Sequence, residues 1–260
     1  MNILEQIIEH KKLEVEKRKQ IISETLLRQT KNFDRNCFSL IDNLTNENTT
    51  GIIAEFKRKS PSKGFINEHA DVVEVTTGYT KGGAACLSVL TDTDFFGGST
   101  ADLLAARVNE IPLLRKDFII DQYQIVEAKA MGADVILLIA ACLTVEEVKK
   151  LSAFAVALGL EVLLELHDET ELNHICDDTV LVGINNRNLK DFKVDINASL
   201  NMAKKIPNTK IKIAESGISD VSMIKKFKEA GFKGFLIGET FMKESNPALA
   251  FDTFAKNISV

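Results

Sequence analysis

Residues 53–62 carry the sequence Ile53-Ala54-Glu55-Phe56-Lys57-Arg58-Lys59-Ser60-Pro61-Ser62. This is an apolar run that ends in charged residues and then in a turn of proline and serine, an order typical of a buried strand that leads into a site. Because side chains alternate between the two faces of a strand, Glu55 and Lys57 project to the same side as Ile53. A single acid and base pair more often simply reaches water, so its meaning depends on how the other strands end.

Seven further runs of this kind follow along the chain. The eight predicted strands cover residues 52–57, 86–90, 112–116, 135–140, 161–166, 180–185, 210–214 and 234–238. Helical segments are predicted near residues 71–81, 100–109, 121–131, 144–158, 168–176, 196–204, 219–230 and 246–257. Apolar strands that alternate with helices are typical of a parallel sheet buried on both faces. Eight such units predict an α/β fold of the closed (β/α)8 type, the TIM barrel.

A doubly wound sheet is the main alternative fold. It usually carries a G-x-G-x-x-G dinucleotide motif, yet no two of the 14 glycines are separated by a single residue, and no Walker A loop is present. The strand count therefore favours the barrel.

An amphipathic helical pattern precedes the barrel. The apolar positions of residues 2–30 are spaced closer to a helical than to a strand period, among many Glu and Lys residues. Polar residues 43–50 then mark a junction. We predict a helical extension over residues 1–47 that packs on a catalytic barrel formed by residues 48–260.

The overall composition excludes some classes of partner. The 260 residues include 37 acidic and 32 basic side chains, and 45% of all residues are hydrophobic. This mildly negative balance argues against a nucleic-acid surface, and no apolar run approaches the ~20 residues of a membrane span. We predict a small-molecule ligand, no nucleic acid, no membrane association, and a monomer with a dimer as the alternative.

The cysteines are far apart in the sequence. Cys37, Cys86, Cys142 and Cys176 form no C-x-x-C pair and have no close histidine of the kind a zinc site needs. We therefore predict reduced thiols, no metal, and a cytoplasmic protein.

Polar side chains stand at the carboxyl ends of several predicted strands, where barrel enzymes carry their active sites. They are Glu55, Lys57, Lys116, Glu165, Asn185, Arg187, Glu215 and Ser216. Buried unpaired charges cost at least several kcal/mol, so their convergence favours acid and base catalysis. A structural ion-pair network at the barrel mouth is the alternative.

The last two strands lead through glycine turns into helical sequence, at Ser216-Gly217 and at Gly238-Glu239. Main-chain N–H groups at a helix start favour an anion, and barrels often bind phosphate after strands seven and eight. A plain turn explains either glycine alone, but the two together favour a phosphate site.

The loop over residues 90–99 carries the adjacent aromatics Phe95 and Phe96. They favour contact with an aromatic substrate, and plugging of the barrel mouth is the equal alternative. No role is predicted for the scattered histidines, which are His10, His69, His167 and His174.

Several motifs match a known family. They are the opening Ile-Leu-Glu-Gln-Ile-Ile with Lys11 and Val15, Glu55-Phe56-Lys57-Arg58-Lys59-Ser60-Pro61-Ser62-Lys63-Gly64, Ser88-Val89-Leu90-Thr91-Asp92 with Phe96-Gly97-Gly98-Ser99, Leu114-Arg115-Lys116-Asp117-Phe118, Leu164-Glu165-Leu166-His167, Gly183-Ile184-Asn185-Asn186-Arg187-Asn188-Leu189, and Ala214-Glu215-Ser216-Gly217-Ile218. With them the chain resembles the indole-3-glycerol phosphate synthase family over essentially its full length. The resemblance implies a carboxy-lyase without a cofactor. Its reaction converts 1-(2-carboxyphenylamino)-1-deoxyribulose 5-phosphate into indole-3-glycerol phosphate, carbon dioxide and water.

The resemblance also implies residue roles. It makes Lys116 the principal general acid and Glu165 the acid and base partner in dehydration. Lys57, held by Glu55, becomes an electrostatic group, and the division of proton transfers between Lys57 and Lys116 stays open. Catalysis and substrate orientation further involve Asn185, Glu215 and Ser216. Other predicted substrate contacts are Ser60, Phe96, Phe118 and Arg187, and the predicted phosphate contacts are Lys57, Ser216, Gly217, Gly238 and, through its backbone, Glu239.

Two other functions stay open at this point. A Schiff-base aldolase would also use a lysine at a barrel strand end, and Lys116 alone does not exclude it. A barrel that binds a phosphorylated ligand without catalysis is the other alternative.

Overall fold

The computed structural model of the protein describes residues 3–46, 49–61, 63–187 and 193–258. Eight parallel strands form the closed barrel predicted from the sequence. They are β1 (Ile52–Phe56), β4 (Cys86–Leu90), β5 (Leu113–Lys116), β6 (Val135–Ile139), β7 (Glu161–Leu166), β8 (Leu181–Asn185), β9 (Ile211–Glu215) and β10 (Phe232–Ile237). The loop after β1 adds a small antiparallel hairpin of β2 (Lys59–Ser60) and β3 (Gly64–Phe65). Pairing of β1 with both β4 and β10 closes the barrel.

Helices alternate with the barrel strands. They are α4 (Val72–Lys81), α5 (Thr100–Ala106), α6 (Gln122–Met131), α7 (Val145–Ala157), α8 (Ile196–Ala203), α9 (Val221–Glu229), the short α10 (Glu239–Met242) and α11 (Pro247–Ile258). The segment predicted as a helix near residues 168–176 is instead a 3₁₀-helix over Glu169–His174, and a second one covers Ala140–Cys142. The segment after β7 is therefore helical as predicted, but its turns are of the tighter 3₁₀ type that is typical of short helices.

Local sequence explains where these helices begin. Asp71, Ser99, Asp195 and Asp220 each accept a main-chain N–H from the first turn of the following helix. Such caps satisfy N–H groups that have no partner within the helix.

The apolar core has two layers, which follow from the alternation of side chains along each strand. Ile53, Leu114, Leu137, Leu163 and Ile213 are buried inside the barrel. The alternate positions of the strands pack against the surrounding helices. Where the inward-facing series reaches the carboxyl ends of the strands, polar side chains replace the apolar ones.

Three helices precede the barrel, namely α1 (Ile3–Ile21), α2 (Glu24–Leu27) and α3 (Leu40–Thr45). Leu40 and Leu44 of α3 pack with the inner barrel core. Glu161, the first residue of β7, accepts the main-chain N–H of Leu40 at 2.9 Å, so α3 covers the amino ends of the strands. The predicted boundary between residues 47 and 48 lies outside the described residues.

Within residues 3–46, 49–61, 63–187 and 193–258, no helix is both long and apolar enough to cross a membrane.

Candidate active site

A cavity of about 320 Å³ opens at the carboxyl ends of the barrel strands. Apart from Phe95, the residues that the sequence predicted for the site line this cavity. They are Glu55, Lys57, Ser60, Phe96, Lys116, Phe118, Glu165, Asn185, Arg187, Glu215, Ser216, Gly217, Gly238 and Glu239. The barrel brings them together because all eight parallel strands end at the same rim.

Glu55 and Lys57 share one side of the first strand end, as the alternation of side chains predicts. Lys57 Nζ lies 2.5 Å from Glu55 Oε1. The Glu55 side chain is 5% exposed and that of Lys57 is 17% exposed. The carboxylate of Glu55 therefore holds the Lys57 side chain, which also lines the cavity.

Lys116 lies between two buried carboxylates. Its Nζ is 3.2 Å from Glu165 Oε2 and 3.8 Å from Glu215 Oε2. Burial opposes the charge of Lys116, but Glu165, Glu215 and Glu55 outweigh it and raise the pKa of the lysine. Lys116 is thus an ammonium at neutral pH.

The two carboxyl groups beside Lys116 differ in the direction of their pKa shifts. Burial and the adjacent charge of Glu165 raise the pKa of Glu215 well above its usual range. Burial acts in the same sense on Glu165, but Lys116, His167 and Asn185 outweigh it and lower the pKa of Glu165. The arrangement therefore places two carboxyl groups of different proton affinity on either side of Lys116.

His167 is a site residue that the sequence analysis missed. Its Nε2 lies 3.0 Å from Glu165 Oε1, and its ring lines the cavity. Glu165 therefore has a basic neighbour two residues along its own strand direction. The same rule of alternating faces that paired Glu55 with Lys57 could have found this contact.

The turn after β9 has unusual backbone conformations. Ser216 has φ of 68° and Gly217 has φ of 71°, both in the left-handed region. A side chain carbon at Gly217 would lie 2.6 Å from Val194 Cγ1. A serine held in this region is uncommon and is stabilised here by its surroundings, because Asn186 Nδ2 donates to the Ser216 carbonyl oxygen at 2.8 Å.

Gly238 allows a close approach at the end of β10. A side chain carbon there would lie 2.7 Å from Glu55 Oε1. A larger residue at Gly238 would displace the Glu55 carboxylate that holds Lys57. This glycine is required by the acid and base pair of β1, in addition to any part it has in binding phosphate.

Glu239 carries a carboxylate at the predicted phosphate site. Lys63 Nζ lies 3.3 Å and Arg187 Nη2 lies 3.9 Å from its oxygens. Its charge is therefore partly balanced by two cations at the rim of the cavity.

Only one of the two adjacent aromatics faces the cavity. Phe96 lines it beside Phe118, with ring centroids 5.8 Å apart. Phe95 packs edge-on against His10 of α1 at 5.6 Å. The prediction that both rings flank the substrate is thus wrong for Phe95, because its side chain points toward the extension.

The extension forms part of the cavity wall. Ile3, Leu4 and Ile7 of α1 line the cavity. Periodicity alone shows that a helix has an apolar face but not what that face covers, so the sequence analysis missed these contacts.

The geometry suits acid and base chemistry on an aromatic anion. An ammonium and two carboxyl groups of different pKa meet at the floor of the cavity, and two phenylalanine rings line one wall. In the described part of the chain, no cluster of three His, Cys, Asp or Glu side chains suits a metal ion.

Comparisons with known proteins give a consistent result. The family model described as indole-3-glycerol phosphate synthase matches residues 4–254. The indole-3-glycerol phosphate synthase of Bacteroides thetaiotaomicron is 46% identical over 258 residues, which cover 99% of each chain. That of a Polaromonas species is 47% identical over 201 residues, or 76% of each chain.

Solved structures of lower identity share the fold. A 3-hexulose-6-phosphate synthase aligns with a TM-score of 0.64 at 14% identity, over 80% of this chain and 99% of that one. A tryptophan synthase complex structure from Pyrococcus furiosus aligns with a TM-score of 0.59 at 14% identity, over 81% of this chain and 98% of that chain.

Proposed function

The chain belongs to the indole-3-glycerol phosphate synthase family, carboxy-lyases of tryptophan biosynthesis, and we propose that Lys116 is the general acid of its ring closure. The substrate is 1-(2-carboxyphenylamino)-1-deoxyribulose 5-phosphate. The ring carbon that bears the carboxylate attacks the ribulose carbonyl carbon, carbon dioxide leaves, and loss of water completes the indole.

One observation carries this proposal. Lys116 is an ammonium between Glu165 and Glu215 at the floor of the cavity, with Nζ to oxygen distances of 3.2 and 3.8 Å. These two carboxylate contacts engage at most two of the three hydrogens of the ammonium group. The remaining hydrogen can point toward the substrate. As the new carbon–carbon bond forms, that proton passes to the carbonyl oxygen, which becomes a hydroxyl group.

Glu165 manages protons during dehydration. Its low pKa makes it a carboxylate, and Asn185 Nδ2 donates to its Oε1 at 3.0 Å. We assign Glu165 the removal of a proton from the intermediate while water leaves, and its return as the acid for the departing hydroxyl. Asn185 orients this carboxylate and the nearby substrate oxygen.

Lys57 supplies positive charge near the reacting end of the substrate. Glu55 fixes its position at 2.5 Å, which leaves other ammonium hydrogens free to bind an anion. Lys57 neutralises one of two anionic groups of the substrate, depending on the orientation in which the substrate binds. These groups are the carboxylate, until it leaves as carbon dioxide, and the phosphate.

The phosphate binds between the turns after β9 and β10. Ser216, Gly217, Gly238 and Glu239 line the cavity there and supply main-chain and hydroxyl donors. Lys57 lies beside the second turn, because its partner Glu55 Oε1 is the atom that a side chain at Gly238 would approach. Phe96 and Phe118 contact the aromatic ring.

Three polar groups complete the contacts with the substrate. Ser60 lies in the loop after β1, and Arg187 follows β8. Burial and Glu165 raise the pKa of Glu215, so this carboxyl group takes up a proton more readily than an exposed one and repels an anionic substrate less.

A direct assay tests this function. Incubation of the protein with the carboxyphenylamino sugar phosphate should produce indole fluorescence, and the Lys116→Ala variant should not. Borohydride should trap no covalent lysine adduct, whereas a Schiff-base aldolase would give one. Binding without product would instead indicate a non-catalytic phosphate-binding barrel.

We also propose that the enzyme is a cytoplasmic monomer that acts on this small molecule. Its four cysteines are free thiols in the structure, which supports a reducing compartment. Light scattering after size-exclusion chromatography should give a mass near 28.8 kDa, and twice that value would indicate the dimer.

A further inference from the structure

We propose that His167 is a positioning residue for Glu165. As an imidazolium, it holds the Glu165 carboxylate ionised and in place throughout the reaction. This inference rests on the acid and base role proposed above for Glu165, and it names the group that makes this role possible.

Glu165 has three polar neighbours. Its Oε1 lies 3.0 Å from His167 Nε2 and 3.0 Å from Asn185 Nδ2, while its Oε2 lies 3.2 Å from Lys116 Nζ. The side chains of Glu165 and His167 are 4% and 7% exposed, so water screens this pair little. His167 therefore acts on one oxygen and Lys116 on the other.

The opposite side of the imidazole ring faces a second carboxylate. His167 Nδ1 lies 3.8 Å from Glu171 Oε2, and the same oxygen accepts the main-chain N–H of His167 at 2.6 Å. A neutral ring would turn an unprotonated nitrogen toward one of these two carboxylates. Protonation of both nitrogens removes that repulsion. Burial opposes this charge, but Glu165 and Glu171 outweigh it and raise the pKa of His167 to about 10.

Other groups near Glu165 cannot replace this cation. Glu215 has a raised pKa and adds no positive charge, and burial raises the pKa of the Cys142 thiol, which stays neutral. Glu55 acts on Lys116 as a further carboxylate. Among the residues that the structure describes, His167 and Lys116 are thus the two cations that face Glu165.

A division of work between these two cations follows. Lys116 gives its proton to the substrate oxygen and becomes a neutral amine, which removes its electrostatic support from Glu165. His167 transfers no proton and keeps its charge. Glu165 therefore remains a carboxylate at the stage where it must accept a proton during dehydration.

The test compares two histidines of the same segment. We would measure kcat and KM from pH 3 to 10 for His167→Gln and for His174→Gln. The ring nitrogens of His174 face the main-chain oxygens of Glu171 and Leu143, at 3.0 and 2.9 Å, and this histidine is absent from the lining of the cavity. His174→Gln is therefore the matched control.

For His167→Gln we expect the acid limb of the kcat profile to move up by about one pH unit or more, because loss of an adjacent opposite charge raises a carboxylate pKa. The KM should change by less than about threefold, since His167 acts on Glu165 and not on substrate affinity. His174→Gln should leave the profile unshifted. An unshifted profile for His167→Gln, or an equal shift for His174→Gln, would overturn the proposal.

Two further measurements separate the possible failures. Turnover retained in Glu165→Gln would refute the proposed function of Glu165 itself, whatever the histidine does. In the unaltered protein, nitrogen NMR of the four histidines should show His167 protonated at both ring nitrogens from pH 6 to 9. A neutral His167 ring at pH 7 would refute the inference even if His167→Gln failed to fold.

Discussion

Two lysines of this protein, Lys11 and Lys116, both lie among carboxylates, but we propose different tasks for them. Lys11 Nζ lies 2.7, 2.9 and 3.0 Å from carboxylate oxygens of Glu14, Asp92 and Asp117, as many oxygens as the ammonium has hydrogens. Lys116 has looser contacts at 3.2 and 3.8 Å and is 17% exposed, against 1% for Lys11. Carboxylates outweigh burial and raise the pKa of both lysines. The two lysines therefore differ in the length of their contacts and not in their charge. We call Lys11 the anchor, and Lys116 is the proposed acid.

The anchor connects the extension to the active site. Lys11 lies on α1, Asp92 follows β4, and Asp117 directly follows Lys116, the proposed general acid. Asp92 Oδ1 also accepts the main-chain N–H of Phe96 at 3.1 Å. Loss of Lys11 should thus loosen both the cavity wall and the loop that carries Phe96.

The largest expected effect is on turnover in Lys116→Met. We expect kcat to fall by about 10²–10⁴-fold, the usual contribution of a general acid, with KM within a few-fold of the unaltered enzyme. Stability should fall less than in the Lys11 variant, because Glu165 keeps His167 and Asn185. Fluorescence assays and urea unfolding measure both quantities. A retained kcat with a large rise in KM would reassign Lys116 to binding.

The converse is expected for Lys11→Met. Removal of one member of a buried ion-pair cluster should lower the free energy of unfolding by about 3–5 kcal/mol at pH 7. Its kcat should fall less than in Lys116→Met. Lys12→Met is the matched control, since Lys12 is 59% exposed and pairs only at the surface with Glu9, a contact worth about 1 kcal/mol or less. Equal destabilisation by both changes would break the comparison.

The destabilisation by Lys11→Met should depend on pH. Burial opposes the charge of Asp117, but Arg115 and Lys11 outweigh it and hold the pKa of Asp117 well below its usual range. A lowered folded pKa contributes stability that is present above the unfolded value of about 3.9 and lost as the pH falls further. The stability gap between the unaltered protein and Lys11→Met should therefore be full at pH 7 and narrow below about pH 4. A constant gap in urea unfolding would argue against this ion-pair origin.

The carboxylates provide a third test. Glu165→Gln should lower kcat by at least about 10²-fold, because an amide cannot exchange the proton. Glu55→Gln should cost roughly tenfold, since a Gln oxygen still accepts part of the hydrogen bond from Lys57. Both changes keep the size of the side chain and remove its charge. Equal losses, measured as kcat at several pH values, would contradict the assignment of positioning to Glu55 and of proton transfer to Glu165.

The smallest expected effect concerns Lys57, which has a single short carboxylate contact and so retains hydrogens for an anion. Inorganic phosphate should compete with substrate, and Lys57→Met should weaken this inhibition by roughly tenfold, the value of one or two kcal/mol of charge interaction. Lys59→Met is the control, because Lys59 Nζ donates instead to the Asp94 carbonyl oxygen. Noncompetitive inhibition by phosphate would count against the proposed site.

Much of the site could be predicted from the sequence. The eight apolar runs and the period of two along each strand determined the barrel, and they determined that Glu55 and Lys57 share a face. The same rule, applied to Glu165 and His167, would have found the second acid and base pair. These are local consequences of strand geometry, which hold wherever a strand forms.

Contacts between distant segments depended on the tertiary structure. The sequence contains Lys11, Asp92 and Asp117 in separate segments, and no local period relates a lysine of a helical extension to two strand ends. Closure of the barrel and docking of α1 bring Lys11 within 3.0 Å of Asp92 and of Asp117. The same docking places Phe95 against His10, while Phe96 lines the cavity. Likewise, the loose contacts that leave Lys116 able to donate a proton are a matter of distances across the barrel. The sequence alone determines which charges are present, but the fold determines which of them are fully paired.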